Sequence, residues 1–337
     1  MGAMGVPEFT RDRKAGCCKL VSAAVKSSLQ RLMRFHATRR CTTRWLDASL
    51  CGLLLLSANP SFAQKTGTKT AAPPARPLNL PGEINDERIL DALDRGAEQL
   101  VRAGKIAKMS DLLSQSNRRT CSVTLPRFQP GRWSAAEWVS RHRAGVVMIG
   151  DLYKCRKCPR WHAGVSSGFL LTEEGVCATC YHVVNVPTSQ SLIAMTGDGR
   201  VVAVKEVLAA NPNTDVAILR LDGSGFTPLL LDHEAPVGVP VRVLSHPDEH
   251  FFSLSEGIVS RYVSVPLQKK GGEVTMMAIT ADFGAGSSGA PVFNERGGVV
   301  GMVNNTQSLY YDPKRGKDLQ MVFKHCLPSQ YILQLIR

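Results

Sequence analysis

Between Asp282 and Asn294 the chain reads Asp-Phe-Gly-Ala-Gly-Ser-Ser-Gly-Ala-Pro-Val-Phe-Asn, with three glycines and two adjacent serines just before a short apolar run. Gly286 and Gly289 permit a tight turn whose amide N–H groups converge on one point. A serine at the apex of such a turn has the geometry of a covalent nucleophile with an oxyanion site beside it. The same composition also suits a plain Gly/Ser hairpin turn, so the chemistry depends on a base and an orienting acid elsewhere. His182 lies in Val176-Cys-Ala-Thr-Cys-Tyr-His-Val-Val184, and Asp215 in Asn213-Thr-Asp-Val-Ala-Ile-Leu-Arg-Leu221. Alone, a histidine at a strand end or an aspartate before a strand has an ordinary structural explanation. In the order His, Asp, Ser, 33 and then 73 positions apart, they read together as a base, its orienting acid and a nucleophile.

The cysteines are the second source of chemistry. Cys155-x-x-Cys158 and Cys177-x-x-Cys180 match the spacing of a four-cysteine zinc site, and His162 adds a further candidate ligand. In an oxidising compartment the six cysteines beyond residue 63 (Cys121, Cys155, Cys158, Cys177, Cys180 and Cys326) favour disulfides instead. A strand across Cys177 to Cys180 points its two thiols to opposite faces, which disfavours shared ligation. The expectation is therefore disulfides or mixed free thiols and no cofactor, with zinc or a redox switch as the other readings.

The chain has 337 residues and 44% hydrophobic residues, enough for a packed core in one or two domains. Its formal charge of +13 is concentrated at the start, where residues 1–45 carry ten Lys/Arg against only Glu8 and Asp12. The remainder has no basic tract, so no nucleic-acid partner is expected. The basic start leads to Leu50-Cys-Gly-Leu-Leu-Leu-Leu56 and then Ser61-Phe-Ala63, an export signal with small residues at the cleavage site. The apolar core is too short to span a bilayer, so the mature form is expected to keep no membrane span. Met33 is the more ordinary start for such a signal, which would leave residues 1–32 untranslated.

The expected organisation is an export segment at 1–63, a flexible Pro/Thr/Ala/Lys linker at 64–82, a helical arm at 83–132 and a main domain at 133–337. Ile89, Leu90, Leu93, Ala97, Leu100 and Val101 recur at helical spacing and predict a helix from Asp86 to Ala103, with a second near Ser110–Gln115. That arm reads either as a regulatory element or as a helix packed on the next domain. Ser134-Ala-Ala-Glu137 opens a short helix with a capping box. Short β-branched runs then predict strands at 145–152, 165–171, 175–180, 191–195, 201–208, 215–220, 239–244, 256–264, 273–280, 290–294, 298–304 and 320–324. This is an all-β pattern of barrel or sandwich type, and two sets of six suggest two barrels, about 145–222 and 236–325. Tyr331, Ile332, Leu335 and Ile336 predict a closing helix over Pro328–Ile336.

Thr179-Cys-Tyr-His182-Val-Val, Asp215-Val-Ala-Ile-Leu and Gly286-Ser-Ser288-Gly-Ala-Pro291 together resemble the sequence blocks of the trypsin-like serine peptidases, and most closely their exported bacterial HtrA/Deg branch. The resemblance covers about Gly145 to Arg337 and implies two six-stranded antiparallel barrels with the site in the cleft between them. It implies Ser288 as nucleophile, His182 as general base, Asp215 as orienting acid, and the N–H groups of Gly286 and Ser288 as the oxyanion site. Three departures from the family pattern stand at Ser287, at Ala290 and at the pair Cys180-Tyr181. Asp282 falls where trypsin selects Lys or Arg, and Asn304, Asn305 and Thr306 align with the strand lining that pocket. Because the chain closes with a barrel-capping helix, no PDZ domain is expected. The resulting expectation is a periplasmic or extracellular serine endopeptidase acting on proteins or peptides. The competing class is a non-catalytic binding module on the same fold, and nothing in the sequence sets an oligomeric state.

Overall fold

A computed structural model describes residues 82–155, 157–267 and 272–337. The expected export segment at 1–63 and the linker through Pro81 lie outside the described residues. Twelve antiparallel strands form two closed six-stranded barrels. The first comprises β1 (Val146–Lys154), β2 (Trp161–Leu170), β3 (Val176–Cys180), β4 (Ser191–Thr196), β5 (Val201–Asn211) and β6 (Val216–Leu221), in the order β1-β2-β3-β6-β5-β4. The second comprises β7 (Pro240–Ser245), β8 (Ser253–Pro266), β9 (Glu273–Ile279), β10 (Pro291–Asn294), β11 (Val299–Asp312) and β12 (Lys317–Pro328), in the order β10-β11-β12-β9-β8-β7. Closure removes the free sheet edges that an open sheet would expose. In the first barrel the β-branched and aliphatic runs are buried almost continuously, as at Val216–Leu219 and Leu192–Ala194. The second has its own interior of Val243, Val259, Met277, Val292, Val300 and Cys326.

The arm before the barrels is helical: α1 (Asp86–Arg102), α2 (Met109–Gln115) and α3 (Ala135–Arg143). Asn85 caps α1 by accepting the Arg88 N–H, and acidic residues occupy its first turn, where the helix dipole favours them. Leu93, Ala97, Met109 and Leu112 are buried in the same cluster as the first barrel, so the arm is packed against it. Polar bonds add to that packing: Gln115 Oε1 accepts the Val207 N–H at 2.8 Å, and Arg119 donates to the Ala210 carbonyl at 2.7 Å. The Ser134/Glu137 capping box opens α3 as its sequence predicts. Its Trp138 is buried, stacked on His142 with ring centroids 4.4 Å apart and edge-on to Phe293 of β10.

Two predicted elements differ from the structure. The closing helix is a single turn, α5 (Gln330–Leu333), because the residues beyond it turn to the arm: the Cys121 N–H donates to Leu335 O at 2.8 Å and the Arg337 N–H to Cys121 O at 2.9 Å. The β11–β12 hairpin is longer than its buried pattern predicts and carries Leu309, Tyr311, Leu319 and Met321 out into solvent. Among the described residues no helix is long and apolar enough to cross a membrane.

Candidate active site

Topology brings His182 and Asp215 together. β3 and β6 are antiparallel neighbours with Cys180 opposite Val216. The residues that leave the end of β3 therefore meet the residue that enters β6. His182 sits in a one-turn helix, α4 (Tyr181–Val184), whose first backbone N–H donates to Asp215 O at 3.0 Å. Asp215 Oδ1 accepts the His182 backbone N–H at 2.9 Å, and Oδ2 lies 2.7 Å from His182 Nδ1. A carboxylate at Nδ1 fixes the tautomer, with Nδ1 protonated and Nε2 free to accept a proton. Asp215 has φ 53°, a left-handed conformation that aspartate tolerates better than most side chains.

A third donor to Asp215 comes from the other barrel. Asn304 ends the buried part of β11, and its Nδ2 donates to Asp215 Oδ2 at 2.6 Å. Sequence alignment with a pocket strand places Asn304 near substrate, but its side chain, 8% exposed, holds the acid. Nothing in the sequence signals this contact, because it joins residues 89 positions apart across the two barrels.

The glycine-serine turn is built as its composition predicts. Ser287 N–H donates to Gly284 O at 3.1 Å with Gly286 at φ 93°, the signature of a type II turn, in which glycine takes the third position without strain. Gly286 has no room for a side chain, since a Cβ would stand 2.4 Å from His246 O. At Gly289, φ 89°, a Cβ would stand 2.2 Å from Ser167 O and 2.4 Å from Thr179 Oγ1. The turn is thus pressed against β2 and β3 of the first barrel. Ser167 clamps it from both ends, its N–H donating to Ser288 O at 3.0 Å and its hydroxyl to Gly286 O at 2.9 Å. Ser287 is fully buried and donates to Ser245 Oγ at 3.0 Å, whereas the Ser288 hydroxyl donates to the Asn304 carbonyl at 3.2 Å. Of the two serines, only Ser288 is partly exposed.

Behind the turn, the loop after β7 is strained, with Asp248, Glu249 and Phe252 all at positive φ. Its Asp248 N–H donates to Ala285 O at 2.6 Å, and Asp86 at the start of α1 accepts the Phe251 N–H at 3.0 Å. His246 anchors the loop, fully buried, with Nδ1 accepting the Phe252 N–H at 3.1 Å. Burial pushes its pKa down from 6.5 to about 3. The unfolded chain therefore takes up a proton below about pH 6.5 that the folded chain refuses down to about pH 3. Stability is lost as the pH falls through that window, at about 1.4 kcal/mol per unit. Unfolding free energies from urea titrations at pH 7 and pH 5 are expected to differ by about 2 kcal/mol in wild type, with a clearly shallower dependence in His246→Asn. Parallel slopes in the two proteins would remove His246 as the cause.

The remaining candidates make no hydrogen bond to His182, Asp215 or Ser288 among those of the described residues. The Asp282 side chain is 85% exposed, and its carboxylate pairs with Lys324 Nζ at 2.6 Å, a hydrogen bond that holds its pKa below the usual carboxylate range. Asn305 donates to Asn304 Oδ1 at 2.7 Å, and Thr306 is paired with Lys324 in the β11–β12 ladder.

The four-cysteine grouping is not formed. Cys177 and Cys180 are buried in β3, where the Cys180 thiol donates to Val303 O at 3.2 Å. Burial, and then the neighbouring Asp215 charge, push that thiol's pKa well up, so it is held as a neutral thiol. Cys121, Cys158, Cys177, Cys180 and Cys326 are free thiols, which meets the free-thiol part of the expectation and not the disulfide part. The buried three act as small apolar side chains in the barrel cores.

Comparison with known proteins follows the same lines. Residues 166–302 match the family model described as trypsin-like peptidase domain. A "Probable periplasmic serine endoprotease DegP-like" from Halomonas elongata is 30% identical over 142 residues, which is 41% of this chain and 28% of that protein. A relative of the same name from Ectopseudomonas mendocina is 30% identical over 141 residues, again 41% and 28% of the two chains. The chain thus spans about 28% of the length of these curated relatives. Among solved structures, a protease from M. tuberculosis in its active form superposes with a TM-score of 0.47 at 20% identity, covering 64% of this chain and 89% of that one.

Proposed function

We propose that this chain, whose residues 166–302 match the trypsin-like peptidase domain, is an exported serine endopeptidase working through Ser288, His182 and Asp215. The observation that carries the proposal is the His182–Asp215 pair, held by two contacts at 2.7 and 2.9 Å, together with the type II turn that presents Ser288. With substrate in the cleft, the Ser288 hydroxyl turns from the Asn304 carbonyl toward His182 Nε2, a tightening that such sites commonly undergo on binding. Ser288 Oγ then bonds to the scissile carbonyl carbon as its proton passes to Nε2. The carbonyl oxygen becomes an oxyanion received by the N–H groups of Gly286 and Ser288, each such donor being worth about 2.7–4 kcal/mol to the transition state. His182 returns the proton to the leaving amine, the C–N bond breaks, and an acyl-enzyme remains. Water deprotonated by the same imidazole releases the acid product and restores Ser288.

Export is supported by the basic and apolar start of the chain ending at Ser61-Phe62-Ala63, and the substrates are protein or peptide chains. The Asp282 carboxylate, neutralised by Lys324, gives no support to a preference for Lys or Arg. The experiment is pre-steady-state hydrolysis of a nitrophenyl ester. A burst of nitrophenol equal to the protein concentration, followed by slower turnover, is expected from acyl-enzyme accumulation. Turnover with no burst at saturating ester and no trapped acyl-serine would reject the covalent route.

A further inference from the structure

At the tip of the β1–β2 hairpin three metal-binding side chains converge. Cys155 follows β1, Cys158 lies in the connecting loop and His162 is the second residue of β2, and their ligand atoms all lie within 4.8 Å of one another. Cys158 Sγ is 3.3 Å from His162 Nε2. A zinc ion about 2.3 Å from sulfur and about 2.0–2.1 Å from nitrogen at a tetrahedral angle would place those two atoms about 3.5 Å apart, so the pair already stands near ligation distance. The Lys157 backbone N–H points at Cys155 Sγ at 3.4 Å, a contact that favours the thiolate a metal requires.

The far side of the imidazole supplies an independent observation. His162 Nδ1 lies 2.9 Å from Oδ2 of Asp94 on α1, a carboxylate only 6% exposed whose Oδ1 has no hydrogen-bond partner among the described residues. A buried carboxylate is costly unless a cation or a strong donor answers it. A carboxylate on the outer nitrogen of a histidine, with the inner nitrogen facing two thiols, is the arrangement that orients a metal-bound imidazole and strengthens it as a ligand. A disulfide between the two cysteines would need neither the histidine nor the acid.

We infer that Cys155, Cys158 and His162 bind one zinc ion, with Asp94 orienting His162 and water in the fourth position. Each thiol gives up its proton on binding, so two thiolates and a neutral imidazole match the charge of the ion. The site ties the hairpin tip to the middle of α1, the helix whose first residue, Asp86, holds the loop behind the Gly286 turn. It does not depend on the peptidase reading, because its test needs no catalysis.

The experiment is zinc content of the purified full chain after dialysis into metal-free buffer. About one zinc per chain is expected in wild type and in Cys121→Ser, falling at least tenfold in Cys158→Ser and His162→Gln. Asp94→Asn should still bind zinc but with roughly 10–100-fold weaker affinity in chelator competition. Should those variants misfold, cobalt added to metal-free wild type answers alone, through the intense visible bands and the thiolate-to-metal absorption of a tetrahedral site. Two outcomes would overturn the assignment: a wild-type chain with both thiols open to alkylation that takes up neither metal at micromolar concentrations, or isolation of the chain with Cys155 and Cys158 joined as a disulfide.

Discussion

Replacing Ser288 by alanine is expected to lower kcat by roughly 10⁶-fold, as loss of the nucleophile does in serine hydrolases of this mechanism, while leaving the fold in place. The hydroxyl makes one hydrogen bond, to the Asn304 carbonyl, so the stability cost should be about 1 kcal/mol. The comparison that gives the result meaning is Ser287→Ala. Ser287 is fully buried and bonded to Ser245, so its loss should show in the urea midpoint, with kcat lowered far less than in Ser288→Ala. If the two variants lose activity equally, the assignment of Ser288 over its neighbour fails.

Asp215→Asn should cost roughly 10⁴-fold in kcat through the tautomer of the base. Asp215 accepts three donors: the His182 backbone N–H on Oδ1, and His182 Nδ1–H and Asn304 Nδ2 on Oδ2. An asparagine has one acceptor oxygen, so its NH₂ must face one of these donor groups. With the NH₂ toward the imidazole, Nδ1 becomes the acceptor and the proton moves to Nε2, where the base can no longer receive one from Ser288. Asparagine also tolerates φ 53°, so the backbone should be retained. The pH profile separates this from general damage: activity lost to the wrong tautomer should recover partly at high pH, where Ser288 ionises more readily, whereas a misfolded site would not recover.

The barrel strands were legible because burial imposed a period on them, and the described strands begin within four residues of the predicted ones. Where burial ends, so does the signal. Asn305 to Asp312 and Lys317 to Met321 are largely exposed and have no apolar face to mark a strand; they pair because each answers the other, as Leu309 does Met321 and Tyr310 does Leu319. In the site, His182 and Asp215 were legible because β3 and β6 carry them on runs with distinctive spacing. Asn304, Ser167 and Thr179 were not, because their roles arise from the approach of one barrel to the other. The cysteines show how spacing misleads: two Cys-x-x-Cys pairs look equivalent in sequence, yet one lies in a buried strand and the other at a hairpin tip beside His162 and Asp94.

The central claim is that Ser288 is a nucleophile activated by His182, and reaction with a fluorophosphonate followed by peptide mass mapping tests it most directly. One phosphonyl group per chain is expected on Ser288, with labelling abolished in Ser288→Ala and strongly slowed in Asp215→Asn. A folded wild-type chain that carries the adduct on another residue, or that stays unlabelled in the presence of a protein substrate, would contradict the account.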